Sequence, residues 1–318
     1  MSVFTALTAN DIRRFLSTFE VGGLIDWQGV PGGSENTNYF LNCDSGGYVL
    51  TLIERGPRDN LSFFIELLEQ LHQAHLPVPY AIADRHGERL HDLKGKPALL
   101  QPRFRGEHRM EPGPKECAAV GSMLARLHDG VAGSDLSRAS DRGPAWVLTQ
   151  ARALIGQVWQ GEKGWLEPVI DALQEWLDGA PRLPGTLIHG DLFRDNVLFD
   201  GTRITGVIDF YNAASGWNLL DLAICHNDWC MDSNGRDEVS ADPRRAAALL
   251  EAYQGLRPFE EEERKSWPMM LQLAALRFWT SRELARMQHA DQVGVLVKDP
   301  SRFRRILRHY CTVPVRSL

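Results

Sequence analysis

His189-Gly-Asp-Leu-Phe-Arg-Asp-Asn196 runs directly into Val197-Leu-Phe-Asp200 and is answered by Val207-Ile-Asp-Phe210, so Asp209 stands thirteen residues beyond Asn196. The form is H-x-D-x-x-x-x-N followed by a short β-ribbon. Moving a phosphoryl group needs a carboxylate that orients and deprotonates an attacking hydroxyl, and oxygen ligands that hold Mg²⁺ on nucleotide phosphates. Asp191 suits the first role, and Asn196 and Asp209 the second. A loop-borne base, then an amide ligand five residues on, then a carboxylate returning on the next strand, converges on one metal–nucleotide complex.

Working outward, a polar helix start at Thr8 to Asp11 precedes Ile12, Phe15, Leu16 and Phe19 at amphipathic spacing and predicts a short N-terminal helix. The period then changes. Ile25-Asp-Trp27, Tyr39-Phe-Leu41 and Tyr48-Val-Leu-Thr-Leu-Ile53 are β-prone runs separated by glycine-rich turns, which predicts an antiparallel sheet. Phe64, Leu68, Leu71 and His75 predict an amphipathic helix stopped by Pro77 and Pro79, and runs around Ala81 and at Ala98-Leu-Leu-Gln101 complete a sheet with one helix. From Glu107 the pattern is helical, with Cys117, Val120, Leu124, Leu127 and Val131, then Ala145 to Trp159, Leu249 to Tyr253 and Met269 to Met287. The acidic run Glu260 to Glu263 reads as a solvated first helical turn. The expected fold class is therefore α+β, a small antiparallel sheet lobe over residues 1–105 and a larger, mainly α-helical lobe over 106–318.

Composition sets limits on partners. The 318 residues carry 35 basic and 41 acidic side chains, a net charge of −6, so no global positive field recruits nucleic acid or an anionic membrane. Hydrophobic residues at 43% and charged residues at 24% are those of a folded globular chain. No stretch is long and apolar enough to span a bilayer and the first residues lack a leader pattern, so the expected location is cytoplasmic. Five cysteines without a C-x-x-C pair signal neither a disulfide framework nor a zinc knuckle.

The central motif resembles that of the protein-kinase-like small-molecule kinases, the aminoglycoside phosphotransferases and choline kinases among them. Glu35-Asn-Thr-Asn-Tyr-Phe40, Tyr48-Val-Leu-Thr-Leu-Ile-Glu54, His189-Gly-Asp-Leu-Phe193 and Asp221-Leu-Ala-Ile-Cys-His-Asn-Asp-Trp-Cys230 together resemble the homoserine kinases of that superfamily, from about residue 5 to residue 310. The resemblance implies a two-lobed kinase-like fold, ATP with Mg²⁺, and transfer of the γ-phosphate to the side-chain hydroxyl of L-homoserine in threonine biosynthesis. Taken singly, Asp191, Asn196 and Asp209 are by default loop residues or helix caps. Their joint occurrence at the family's spacing reverses that default. His189 and Asp221 are expected to brace the catalytic loop rather than to react.

The remaining site residues follow from position. Gly29-Val-Pro-Gly-Gly-Ser-Glu-Asn-Thr-Asn38 precedes the Val49 strand, as a phosphate-covering loop does, and nominates Gly32, Gly33, Ser34, Asn36 and Thr37 for the nucleotide. Gln101, in Leu99-Leu-Gln-Pro-Arg103 where the lobes join, is added as a nucleotide contact. For the acceptor, Asp228 is nominated for the ammonium by analogy, Trp229 and Tyr39 as walls, and Arg194, Arg277 or Arg282 for the carboxylate. One departure stands out. The strand after the phosphate loop carries Thr51 where the superfamily has a lysine, which leaves Arg55, Arg103 or Arg105 to supply the charge, or else a silent nucleotide-binding protein. Other rivals are a kinase of an aminoglycoside, choline or another amino alcohol, and a metallohydrolase built from His189, Asp191 and His226.

Overall fold

The computed structural model describes residues 5–30, 36–54, 60–234, 238–289, 298–313, 315 and 318. Thr8 opens helix α1, Ala9–Leu16, through a reciprocal cap: Asp11 N–H donates to Thr8 Oγ1 at 3.2 Å and Thr8 N–H donates to Asp11 Oδ2 at 2.9 Å. Such a cap contributes about 1 kcal/mol. Ile12, Phe15 and Leu16 then bury one face of α1 in a cluster with Leu41, Leu50, Leu52 and Leu100 from the adjoining sheet.

That sheet contains β1 (Leu24–Gly29), β2 (Thr37–Cys43), β3 (Gly46–Leu52), β4 (His91–Leu93) and β5 (Lys96–Pro102). All pairings are antiparallel and the order is β1-β2-β3-β5-β4. In β2 the buried positions Thr37, Tyr39, Leu41 and Cys43 alternate with more open ones, the period of two that faces one side of a sheet to the core. Helix α2 (Leu61–Gln73) buries Leu61, Phe64, Leu67, Leu68 and Leu71. It stops short of the expected His75, whose φ of 59° lies in the left-handed region. The run around Ala81 is not a strand: Pro77 and Pro79 remove donors from the chain, and only Ile82 N–H reaches β5, donating to Leu100 O at 2.8 Å. The fifth strand is β4 instead.

Of the described residues, 5–107 with 205–208 form one compact unit and the rest, from His108, form another. The second is mainly helical, with α3 (Pro114–Gly130), α4 (Pro144–Ile155), α5 (Lys163–Asp178) and then β6 (Gly185–Ile188). The hairpin of β7 (Val197–Asp200) and β8 (Arg203–Val207) follows, then β9 (Ala214–Trp217), which pairs with β6. After α6 (Asn218–Cys225) come β10 (Met231–Asn234), β11 (Glu238–Ala241), α7 (Pro243–Gln254), α8 (Glu261–Gln288) and α9 (Ser301–Thr312). The long α8 is the axis of the unit's core, where Trp279 stacks on Trp159 at 3.9 Å. Gly121 lets α3 approach α7 so closely that a Cβ would collide with the carbonyl of Leu249. Glu263, expected in solvent, is fully buried: it accepts from Arg257 at 2.9 Å and from Glu260 N–H at 3.0 Å, closing the cap of α8. Among the described residues no helix is long and apolar enough to cross a membrane.

The turn after α6, His226–Cys230, is buried throughout. Tyr310 O–H donates to Asn227 Oδ1 at 2.6 Å, so the 3.1 Å contact between its oxygen and His226 Nδ1 requires His226 to be the donor. Burial, not this bond, holds His226 neutral, lowering its pKa to about 4. An unfolded histidine titrates near 6.5. The folded value is depressed, so the unfolded chain takes the proton first: stability is full above pH 6.5 and is lost as the pH falls toward 4. The change in urea-unfolding free energy between pH 7.5 and pH 4.5 is expected to differ by roughly 2–3 kcal/mol between the wild type and His226→Gln, which cannot take the proton. The same pH dependence in both proteins would contradict a neutral, buried His226.

Candidate active site

The loop from His189 to Asn196 is held by side chains at almost every peptide. Asp221, fully buried on α6, accepts His189 N–H at 2.7 Å on Oδ2 and Gly190 N–H at 2.8 Å on Oδ1. His128 contacts the same carboxylate at 3.2 Å and is fixed from behind by Tyr253 O–H at 2.8 Å. Burial alone would raise the pKa of Asp221, yet the His128 contact and the loop N–H groups hold it below the usual carboxylate range. Arg277 Nη1 donates to Gly190 O at 2.6 Å, Asn196 Nδ2 to Asp191 O at 2.7 Å, and Trp229 Nε1 to Leu192 O at 2.9 Å. Gly190 has φ 75°, and a Cβ there would meet Asn212 O at 2.9 Å, so the H-G-D turn requires glycine.

This scaffold presents Asp191. Its Oδ2 accepts from Asn212 Nδ2 at 3.4 Å, while its Oδ1 is buried with no hydrogen-bond partner. Burial, then the negative charge of Asp209, push its pKa up to about 7. An unpartnered carboxylate oxygen is costly unless something binds there, and a donor hydroxyl meets that need. Asn196 has its amide nitrogen engaged by Asp191 O, which leaves the amide oxygen as a ligand atom. Asp209 ends the ribbon in a left-handed turn, φ 65° and ψ 62°, unusual for a residue with a Cβ. Its pKa is raised, by surrounding protein first, against the opposing charges of His189 and Lys298. The negative charge of Asp209 acts on Asp191, and Asp209 and the amide oxygen of Asn196 are oxygen donors of the kind a hard divalent cation takes when it shares its shell with phosphates.

The acceptor residues named from sequence have other partners. Asp228, expected at an ammonium, is buried and accepts Arg194 N–H at 2.8 Å, Arg194 Nε at 3.2 Å and Arg302 Nη1 at 2.6 Å. Burial opposes its charge, but Arg302 and then Arg194 hold its pKa down. Trp229 is fully buried and serves the loop through Leu192 O rather than walling a pocket. Tyr39 lies in the core of the first unit, with its hydroxyl accepting Leu7 N–H at 3.0 Å and donating to Thr5 O at 2.9 Å. Replacing Asp228 by Ala would strand two arginines and a loop N–H; a destabilisation of about 3–5 kcal/mol is expected in urea unfolding. Unchanged stability with a raised acceptor KM would restore Asp228 to the acceptor.

In the nucleotide region, Gly32, Gly33, Ser34 and Arg55 lie outside the described residues. Asn36 and Thr37 are buried and stitch the sheet edge: Asn36 Oδ1 accepts Glu54 N–H at 3.2 Å and Thr37 Oγ1 donates to Glu54 Oε1 at 2.5 Å. Their side chains are thus taken up internally rather than offered to a phosphate. Thr51 is buried and its Oγ1 lies 2.8 Å from Asn38 Oδ1 and 3.1 Å from Gln101 Oε1. Gln101 Nε2 donates in turn to Pro79 O at 2.5 Å, so its side chain belongs to this network. Arg103 lies over Phe40, 3.9 Å from the ring centroid, and Glu69 pairs with Arg89 at 3.2 Å. A further ion pair of this unit, Lys96 with Glu54, has no sequence signal, because the two are far apart in the chain.

Two residues beside Asp191 carried weak sequence signals. Asn212 follows Asp209 by three positions, and Arg277 is one of three arginines that the sequence does not tell apart. His226, the third member of the metallohydrolase rival, is tied to Tyr310, and among the described residues no group of three His, Cys, Asp or Glu is placed to hold a metal.

Known proteins resemble this chain in sequence and in fold. Residues 26–267 match the model of the phosphotransferase enzyme family. The chain is 48% identical over 303 residues to a homoserine kinase of Pseudomonas aeruginosa, covering 95% of this chain and 94% of that protein. It is 38% identical over 311 residues to a homoserine kinase of Methylobacillus flagellatus, covering 97% and 95%. Among solved structures, a spectinomycin phosphotransferase in complex with ADP and spectinomycin superimposes with a TM-score of 0.67 at 14% identity, over 96% of this chain and 95% of that one.

Proposed function

The chain belongs to the phosphotransferase enzyme family and, within it, to the homoserine kinases, and from that premise we propose that it transfers the γ-phosphate of ATP to the side-chain hydroxyl of L-homoserine, forming O-phospho-L-homoserine for threonine biosynthesis. The observation that carries the reading is Asp191: a part-buried carboxylate with one unpartnered oxygen, on a loop whose peptides are clamped by Asp221, Arg277, Asn196, Trp229 and Asp228. That oxygen accepts the hydroxyl proton and aims the hydroxyl oxygen; its raised pKa suits a group that must take a proton near neutrality. Asn196 and Asp209 hold the magnesium ion of the nucleotide, and when bound the ion neutralises charge on the phosphates. Residues 1–105 are assigned the nucleotide contacts and 106–318 the chemistry and the acceptor. Because the loop is fixed before substrate arrives, positioning is the chain's main contribution to rate.

Thr51 removes the strand lysine without removing order, since its hydroxyl joins a part-buried network with Asn38 and Gln101. This favours an active enzyme whose nucleotide contacts differ from those of protein kinases. The test is ADP release by purified protein with ATP and magnesium against L-homoserine, L-serine, choline and kanamycin. Magnesium-dependent turnover confined to L-homoserine is expected. Preference for another acceptor would replace the substrate, and nucleotide binding without turnover on any acceptor would replace the function.

A further inference from the structure

Arg277 is a buried cation whose ion-pair partner is missing. It projects from α8, is 5% exposed, and donates through Nη1 to Gly190 O at 2.6 Å; among the described residues no carboxylate pairs with it. A buried guanidinium with five donors is not satisfied by one carbonyl. Burial lowers its pKa to about 10, with the charges of Asp191 and Asp221 opposing that and the charge of Arg142 adding to it.

The space beside it has the right place and lining. A cavity of about 570 Å³ is bounded by Arg277, Gly190, Asn212, Ser134, Thr186 and Ser215, among others. Gly190 is the chain neighbour of Asp191, and Asn212 donates to Asp191 Oδ2 at 3.4 Å, so two residues of the lining flank the base, although Asp191 does not itself line the cavity. The other arginines are engaged elsewhere. Arg194 holds Asp228 and Met110 O, while Arg282 donates to Asp299 O at 3.1 Å and lies 4.5 Å from the Phe303 ring centroid. Neither lines the cavity.

We propose that Arg277 receives the α-carboxylate of the acceptor in this cavity, and so selects an amino acid over a plain amino alcohol. The inference rests on the homoserine reading above and extends it to the specificity-determining residue. A carboxylate on Arg277 completes the pair that the fold leaves open and anchors the end of the acceptor remote from the hydroxyl at Asp191.

The experiment compares kcat/KM for L-homoserine with that for 3-aminopropan-1-ol, which is homoserine without its carboxylate, in wild type, Arg277→Lys and Arg277→Met. Wild type is expected to prefer L-homoserine by at least about 100-fold, and Arg277→Met to collapse that ratio by about 100-fold, mostly through KM. Arg277→Lys keeps the charge but loses the planar fork that takes a carboxylate on two nitrogens, and is expected to lose about tenfold of the ratio. If Arg277 only braces the Gly190 peptide, both acceptors fall together and an unchanged ratio in either variant overturns the inference. Should the Met variant fail to fold, the Lys variant and the wild-type preference decide alone: a wild type indifferent to the carboxylate overturns it outright. Wild-type turnover on an unrelated acceptor but not on L-homoserine defeats the underlying reading, and this inference with it.

Discussion

Asp191→Asn is expected to lower turnover on L-homoserine by about 10³-fold while raising the melting temperature. The first effect follows from removing the proton acceptor, since a positioned base contributes about 10²–10⁴-fold. The second follows from the same burial that tunes the residue. The pKa of Asp191 is raised from 3.8 to about 7, so its ionised form costs the folded state free energy at pH 8. The sign is that of a carboxylate whose folded pKa lies above its unfolded one: the cost is full above pH 7 and is relieved as the pH falls toward 3.8. Asn keeps the shape and the Asn212 contact without the charge. The variant, melted without nucleotide or magnesium, should therefore gain several degrees at pH 8 and much less at pH 4.5. A residue that merely held the loop would lose stability on substitution, and a loss at pH 8 would contradict the assignment.

Asp209→Asn is expected to cost about 10³-fold in turnover by a different route, visible in the metal dependence. Asn is chosen because it tolerates the left-handed turn at φ 65°, where Ala would add backbone strain and confuse loss of a ligand with loss of fold. Removing one anionic ligand should shift the magnesium concentration for half-maximal rate upward by tenfold or more. In Asp191→Asn that concentration should stay near the wild-type value, although the rate falls. A common shift in both variants, or near-normal turnover in Asp209→Asn, would remove Asp209 from the metal site.

These two residues were legible because their chemistry is carried by spacing in one short stretch. His189 to Asn196, the ribbon and Asp209 lie within a single loop and hairpin, so local sequence nearly determines their geometry. The sheet was legible for a similar reason: Thr37, Tyr39, Leu41 and Cys43 alternate, and the alternation fixes which face is buried. What sequence alone could not order is the set of contacts made across long chain separations. Asp228 reads as an acidic candidate for the acceptor's ammonium until Arg302, distant in the chain, is found on its oxygens. Trp229 and Tyr39 read as pocket walls by residue type, but their polar tips are claimed by Leu192 O and by Thr5 and Leu7. Arg277 was indistinguishable from Arg194 and Arg282 until burial separated it from them. The run around Ala81 failed as a strand because two prolines interrupt its donors, while the three-residue β4 is too short to leave a pattern.

The loop scaffold also accounts for the order of effects among these residues. Asp221, Trp229 and Asp228 act on peptides of the loop, so their loss is expected to appear first as instability. Asp191 and Asp209 carry unfavourable charge in the fold, so their loss is expected to appear as inactivity in a protein that remains folded. Sites that must hold unpaired charge ready for a ligand give up stability to do so.

The most direct test of the central claim is ³¹P NMR of a reaction containing the protein, ATP, magnesium and L-homoserine. The account predicts a new phosphomonoester resonance, split by the two protons of the adjacent methylene, growing in step with ADP. Release of inorganic phosphate alone, or no loss of ATP, would contradict it.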